Sequence, residues 1–246
     1  MAEAIDLTPS QQALAIHLLR TQATEPTKVM RRRDLGNDNF ELYSVDRDVY
    51  HVEFMVHPEE FALTGHRNDI RQPLSEVYLN LRNMSAETLN MVGQGVTDAI
   101  PQDMIDTIGV GIPDAGTAIG HAVRMVTGIS MINLFAKAPL ESKQRLLPDP
   151  HMLDGAGQRI ILFDDLITQA TTKLDAIEVA EQLGWTVVGV AVLVDREQGG
   201  REQLEERGYK LYAAMKLSDM LNLYLVEGLI DQGRFDKVNT YLASFR

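Results

Sequence analysis

Residues 160–172 of this 246-residue chain read IILFDDLITQATT. Four consecutive apolar residues precede two adjacent aspartates, Asp164 and Asp165, and a threonine-bearing loop then opens into a helix-like stretch over residues 173–183. An apolar run that does not alternate with polar residues reads as a strand buried on both faces, and such strands belong to parallel sheets. The two acids then fall at its carboxyl end, the edge where open α/β sheets place ligands. Adjacent carboxylates can hold the two neighbouring hydroxyls of a ribose. Thr168, Thr171, Thr172 and the N–H groups of a helix start can hold a phosphate. One short segment therefore encodes a site for a phosphorylated sugar. Paired acids at a strand end also hold Mg²⁺ in receiver domains and haloacid-type phosphatases. Receivers carry theirs near the chain start, however, and those phosphatases separate the acids by one residue.

The remaining pattern supports a parallel sheet. Thr8, Pro9 and Gln11 read as N-cap, first-turn proline and capping-box partner of a helix reaching about Arg20. Residues 40–57 carry Phe, Tyr and Val at strand spacing around Asp46-Arg47-Asp48, which predicts a hairpin turning there. Residues 64–76 are polar and loop-like. Leu79 and Leu81 predict a short strand, after which Ser85 caps a helix to about Ala99. Strands follow over residues 107–112, 129–135, the acid-bearing run, 187–194 and 210–215. Helices are predicted over 117–126, 201–207, from Ser218 to about Val226, and over 232–244. The fold class is α/β, an open and mainly parallel sheet with helices on both faces. An N-terminal helix and hairpin segment covers residues 1–70 and the α/β domain residues 71–246. The turn at 111–116, Lys137, the 164–172 segment and Asp195-Arg196 all follow carboxyl ends of predicted strands, so they crowd one sheet edge.

Composition narrows the class. An apolar content of 45% supports a sizeable core, and the absence of cysteine excludes disulfides and thiolate chemistry and suits a cytoplasmic protein. No apolar run reaches the length of a membrane span, and MAEAIDLTPS lacks a signal pattern, so neither membrane nor export is expected. A net charge of −12 argues against nucleic acid as a partner. It leaves room for an anionic small substrate, since a divalent cation and a few local bases set the field inside a cleft.

Four segments resemble the orotate phosphoribosyltransferases, over roughly residues 72–230. SEVYLNLR at 75–82 is similar to the family's segment lining the base pocket. Residues 111–116, GIPDAG, resemble its pyrophosphate-facing turn. Residues 160–172 resemble the 5-phosphoribosyl-1-pyrophosphate (PRPP) signature of type I phosphoribosyltransferases, and DREQGG at 195–200 resembles the segment whose arginine faces the carboxylated base. The resemblance implies the type I phosphoribosyltransferase fold and transfer of ribose 5-phosphate from PRPP to orotate in pyrimidine biosynthesis, with Mg²⁺ as cofactor. It also implies a homodimer. On this basis Asp164 and Asp165 hold the ribose hydroxyls and the metal. Thr168, Gln169, Ala170, Thr171 and Thr172 hold the 5-phosphate. Pro113, Gly116 and Lys137 face pyrophosphate, and Arg196 with Tyr78 takes the base. Lys137, Asp164 and Asp165 are the catalytic group.

The chain also departs from the family. Between the second and third strands, where members carry a basic loop, it reads FAKAPLESKQRLLPDPHML. Ala136 stands at the arginine position, Leu140 and Ser142 near those of a lysine and a histidine, and Lys143, Arg145 and His151 are the nearby replacements. Gln169-Ala170 stands where a small hydroxyl residue and glycine are usual. These departures leave two alternatives, a PRPP- or nucleotide-binding sensor without transfer, and a phosphoribosyltransferase for another base. Arg196 could equally form a surface ion pair with Asp195, and Lys137 could simply be solvated. His51, Glu53 and His57 share strand parity, which suggests a metal site or, more simply, a solvated face. Arg31-Arg32-Arg33 reads as a basic run in a loop, solvated or, alternatively, an interface.

Overall fold

The protein is described as a computed structural model covering residues 5–62, 70–138, 146–149 and 154–245. Helix α1 (Pro9–Arg20) begins as its capping box requires: Thr8 N–H donates to Gln11 Oε1 at 2.9 Å, and the Thr8 hydroxyl accepts from Gln11 N–H. Its apolar face, Leu14, Ala15 and Leu18, is fully buried.

The first hairpin is not where residue spacing puts it. Strand β1 (Thr27–Gly36) pairs antiparallel with β2 (Asn39–Arg47), so Asp46 and Arg47 lie opposite Lys28 and Thr27 inside the ladder. The turn is at Asn37 and Asp38, both at positive φ (54° and 57°). Consecutive left-handed residues give the turn a twist that matches the flanking strands, and Asn and Asp tolerate that conformation. The three arginines consequently belong to a strand. Arg31 pairs with Glu60 at 2.7 Å, and the guanidinium groups of Arg32 and Arg33 lie over the rings of Phe40 and Tyr43.

Strand β3 (Val52–Phe54) pairs antiparallel with β4 (Val77–Leu79), and Ser85 caps α2 (Ala86–Ala99). A short helix, α3 (Gln102–Ile105), precedes β5 (Ile108–Gly111), α4 (Ala115–Thr127) and β6 (Ser130–Ile132). The expected strand over 129–135 divides here, because after β6 the chain leaves the sheet and forms a ribbon from β7 (Phe135–Lys137) and β8 (Leu146–Pro148). Then come β9 (Arg159–Ile167), α5 (Thr171–Gln182), β10 (Thr186–Asp195), α6 (Gly200–Glu205), β11 (Leu211–Lys216), α7 (Leu217–Val226) and α8 (Gln232–Ala243). Ser218 lies inside the first turn of α7 rather than capping it, and its N–H donates to Glu197 Oε2 at 2.8 Å.

The central sheet has five parallel strands in the order β11-β10-β9-β5-β6. In strand sequence this is the 2-1-3-4-5 order of a doubly wound sheet, which reverses direction between β5 and β9. Side chains of β9 alternate between two cores. Ile161 and Phe163 pack with α1, α2, α4 and α7, whereas Ile160 and Leu162 pack with α5. Helices thus cover both faces, as the uninterrupted apolar run requires.

The N-terminal segment shares this core. Leu14 and Leu18 belong to the same cluster as Ile161 and Phe163, and Tyr224 Oη donates to the Ala15 carbonyl at 2.7 Å.

Candidate active site

The sheet opens at its reversal. Pairing of β5 with β9 ends at Gly111 opposite Phe163, followed by one further bond from Ile112 N–H to the Phe163 carbonyl at 2.9 Å. Beyond that point β9 continues against β10 alone, as far as Ile167 opposite Asp195. Asp164 and Asp165 therefore lie inside a strand that overshoots its neighbour, rather than past a strand end. The turn from Gly111 to α4 borders the resulting crevice. A Cβ at Gly116 would fall 2.1 Å from the Phe163 carbonyl oxygen, so only glycine lets the start of α4 approach β9 this closely. Pro113 is half-buried beside it, and the Pro113–Asp114 peptide is cis. Neither N-cap residue, Asp114 of α4 or Ala170 of α5, supplies a side-chain capping bond. Two helix N-termini thus approach one edge, an arrangement suited to phosphate groups.

Each aspartate side chain turns onto the next backbone N–H: Asp164 Oδ1 accepts from Asp165 at 2.9 Å and Asp165 Oδ1 from Leu166 at 2.8 Å. Beyond that they differ. Asp164 Oδ2 lies 2.6 Å from the Nζ of Lys173, a buried residue in the first turn of α5 that also donates to the Leu166 carbonyl at 2.6 Å. The Asp165 carboxyl also meets the Asp164 carboxyl side chain to side chain. Desolvation, and secondly the adjacent Asp164 charge, push the Asp165 carboxyl up to about 7.

Arg196 is the other exceptional charge. It is 2% exposed, and its Nη2 donates to Ser75 Oγ at 3.0 Å and weakly to the Val77 carbonyl at 3.4 Å. Its Nε is buried without a partner. The neighbouring Asp195 is taken by Arg201, with Nε to Oδ2 at 2.9 Å, so the surface ion pair considered for Arg196 does not form. Burial pulls the Arg196 pKa down from 12.5, yet a guanidinium stays charged in proteins. An uncompensated buried cation costs several kcal/mol until an anion meets it.

The phosphate loop and the arginine segment are joined. Arg196 N–H donates to the Ile167 carbonyl and Gly200 N–H to that of Thr168, both at 2.9 Å. Ala170 N–H donates to Gln203 Oε1, also at 2.9 Å. The half-buried Thr168 and Thr172, the exposed Gln169 and Thr171, and the buried Ala170 form a short bend into α5.

An orotate phosphoribosyltransferase of Tropheryma whipplei (strain Twist) is 31% identical over 156 residues, covering 60% of this chain and 71% of that protein. The chain belongs to the orotate phosphoribosyltransferase family. No family model matches it. The fold has the same kinship: Leishmania donovani UMP synthase superposes with a TM-score of 0.62 at 24% identity, covering 79% of this chain and 40% of that one. A Mycobacterium tuberculosis H37Rv orotate phosphoribosyltransferase in complex with PRPP superposes with a TM-score of 0.54 at 19% identity, covering 86% and 99%.

Within the family frame, the structure brings Pro113, Gly116, Asp164, Asp165, the 168–172 bend and Arg196 to one edge. Tyr78 takes another course. It is on β4 between the buried Val77 and Leu79, and its ring stacks on Phe61 at 5.1 Å, in the small cluster of Val29 and Val49 under the hairpin. Lys137 ends β7 opposite Leu146, which places its backbone at the base of the basic-loop region. Leu140, Ser142, Lys143, Arg145 and His151 lie outside the described residues.

The sequence reading placed Ser75 in the segment resembling the base-pocket lining but missed Lys173 and Gln203. A lysine in the first turn of a helix reads as solvated, and only the packing of α5 against β9 shows that it is buried. The His51, Glu53 and His57 set does not share one face: among the described residues no metal-binding group of three forms, and only His57 is exposed. His51 is fully buried with Nδ1 2.7 Å from the Asn80 carbonyl, while Glu53 pairs with Arg47 at 2.5 Å.

Proposed function

We propose that this protein transfers ribose 5-phosphate from PRPP to orotate, releasing pyrophosphate. The observation that carries the reading is Arg196. A buried guanidinium whose Nε has no partner among the described residues, joined through its backbone to a phosphate loop and beside the crevice of the two aspartates, suits a substrate bearing its own carboxylate. In the reaction the C1–O bond of the ribose breaks with its electrons on pyrophosphate. A ring nitrogen of the base bonds to C1 and gives up its proton. The protein's part is to position and to stabilise charge. The N-termini of α4 and α5 receive phosphates, Asp165 faces the ribose, and Arg196 fixes the base by its carboxylate. Lys137 meets pyrophosphate on the family resemblance.

Among the described residues no three His, Cys, Asp or Glu groups could hold a metal by themselves. The adjacent carboxylates of Asp164 and Asp165 fit the habit of Mg²⁺ of binding one or two carboxylates together with substrate phosphates. When bound there, the ion neutralises charge on the departing pyrophosphate. The family resemblance supports a homodimer, and the cysteine-free composition supports a cytoplasmic site of action.

The test is a coupled assay of pyrophosphate release with PRPP, Mg²⁺ and a panel of free bases. Orotate should turn over, and uracil, which lacks the carboxylate, should react at least about 100-fold less efficiently. PRPP at about 100 times its Kd should raise the melting temperature by roughly 5–10 °C. Stabilisation without turnover for any base would make the protein a PRPP sensor. Neither stabilisation nor turnover would refute the reading.

A further inference from the structure

The chain turns sharply just after Arg196, at a residue whose side chain makes that turn unfavourable. Glu197 has a left-handed backbone (φ 56°), which glycine adopts freely and a residue with a Cβ does not. A conformation of this kind persists only where the surroundings hold it. The Glu197 N–H donates to Asp195 Oδ1 at 2.8 Å, and its carboxylate reaches α7, where Oε2 accepts the Ser218 N–H at 2.8 Å. That N–H is one of the donors that a helix start leaves without an intrahelical partner, and the N-cap residue Lys216 supplies no side-chain bond. Glu197 therefore caps α7 from outside the helix, with its negative charge at the positive end of the helix dipole. The anchor is firm, since Leu217, Met220 and Leu221 of α7 are fully buried in the core shared with α1.

Resting on the orotate reading above, we infer that Glu197 is a positioning residue for Arg196: its cap on α7 fixes the turn that sends the guanidinium towards Ser75. Two observations support this. The Arg196 backbone is tied on one side by its own N–H to the Ile167 carbonyl, and the next residue along is Glu197, tied to α7. The same turn also occupies the adjacent carboxylate. Asp195 is 2% exposed, and its Oδ1 takes the Glu197 N–H while its Oδ2 takes Arg201. A buried guanidinium gains from any carboxylate within reach. With the turn in place Asp195 is already engaged, and Arg196 keeps its charge for the pocket.

The test combines steady-state kinetics for orotate, PRPP affinity by calorimetry with Mg²⁺, and thermal melts on three variants of Glu197. Glu197→Ala loses the cap and should raise the KM for orotate about tenfold, with PRPP affinity within about threefold of the wild type. Its melting temperature should fall by about 2–4 °C. Glu197→Gly loses the cap too but relieves the left-handed backbone. Its melting temperature should return to within about 2 °C of the wild type while the orotate KM stays about tenfold raised. Glu197→Gln keeps an oxygen that can accept the Ser218 N–H, and its orotate KM should lie within about threefold of the wild type. Because Glu197 acts through Arg196, Arg196→Ala with Glu197→Ala should lose no more than Arg196→Ala alone. An orotate KM that recovers together with the melting temperature in Glu197→Gly would mean a contribution to stability only, and overturns the inference. A full additional loss in the double variant, or equal losses for orotate and PRPP, overturns it as well. Should Glu197→Ala fold poorly, the glycine and glutamine variants decide the matter. A wild type that does not turn over orotate fails at the underlying reading and takes this assignment with it. Wild-type turnover with any of the overturning results sinks only the role of Glu197.

Discussion

Arg196 brings a full charge to a place where no carboxylate among the described residues meets it, and this makes its replacement diagnostic. Arg196→Ala should cost roughly 2–5 kcal/mol in kcat/KM for orotate, because a desolvated charged contact disappears. On the proposed reading PRPP affinity should change little, since the contacts proposed for it lie on the bend and the 111–116 turn. The melting temperature should hold or rise, because the substitution also removes a buried charge that the folded protein carries without compensation. Steady-state kinetics with a thermal melt reads all three. Equal losses for orotate and PRPP would show a disrupted site rather than a lost contact. The identity of this residue was visible in the Asp195-Arg196 pair. Its burial was not, because adjacency in sequence suggested an ion pair that Arg201 in fact makes with Asp195.

Between elements, the bend of 167–170 is held from outside. Three bonds join it to the chain after β10: Arg196 N–H to Ile167, Gly200 N–H to Thr168, and Ala170 N–H to the Gln203 side chain. The segments proposed to face the base and the phosphate are therefore one mechanical unit. Gln203→Ala leaves the helices intact but releases the bend, and it should weaken PRPP binding by about 1 kcal/mol, or roughly fivefold. Orotate turnover should fall with it. Unchanged PRPP affinity by calorimetry would show that the Gln203 contact is not needed for binding. The existence and order of these elements were legible, since apolar runs and capping residues are local signals. Register was not. The β1–β2 turn at Asn37-Asp38 was masked by the stronger alternation that follows it, and the overshoot of β9 past β5 depends on where the neighbouring strand stops.

For the molecule as a whole, His51 marks how the N-terminal segment is built in. Its N–H donates to the Thr21 carbonyl after α1, and its carbonyl accepts from Asn80 after β4. Its Nδ1 donates to the Asn80 carbonyl, while Nε2 is buried with no partner among the described residues, a setting that favours the neutral ring. Burial lowers its pKa below 6.5, and the nearby His17 adds to the depression. A depressed folded-state value means that stability is present in full above the unfolded value and is lost as pH falls towards the folded one. Urea denaturation should therefore show the wild type losing stability relative to His51→Gln below about pH 6.5, by at most about 1.4 kcal/mol per pH unit. Asp165, raised to about 7, works in the opposite sense, and its contribution is lost as pH rises through that value. The difference between the two proteins isolates His51. A pH-independent difference would mean that the imidazole is protonated in both states or in neither.

The sequence by itself determined the parallel α/β fold, the sheet edge that carries the site, and the family. Those follow from short-range patterns: an unbroken apolar strand, acids next to it, and glycine where a helix must start close to a strand. Tertiary structure alone decided how the charges are shared. Lys173 reaches Asp164 from another element, Arg201 takes Asp195, and Arg196 is left buried with Ser75 from 121 residues away. Which partner a charge finds depends on distances between elements and on the dielectric that their packing creates, and neither quantity is a property of a local stretch of residues.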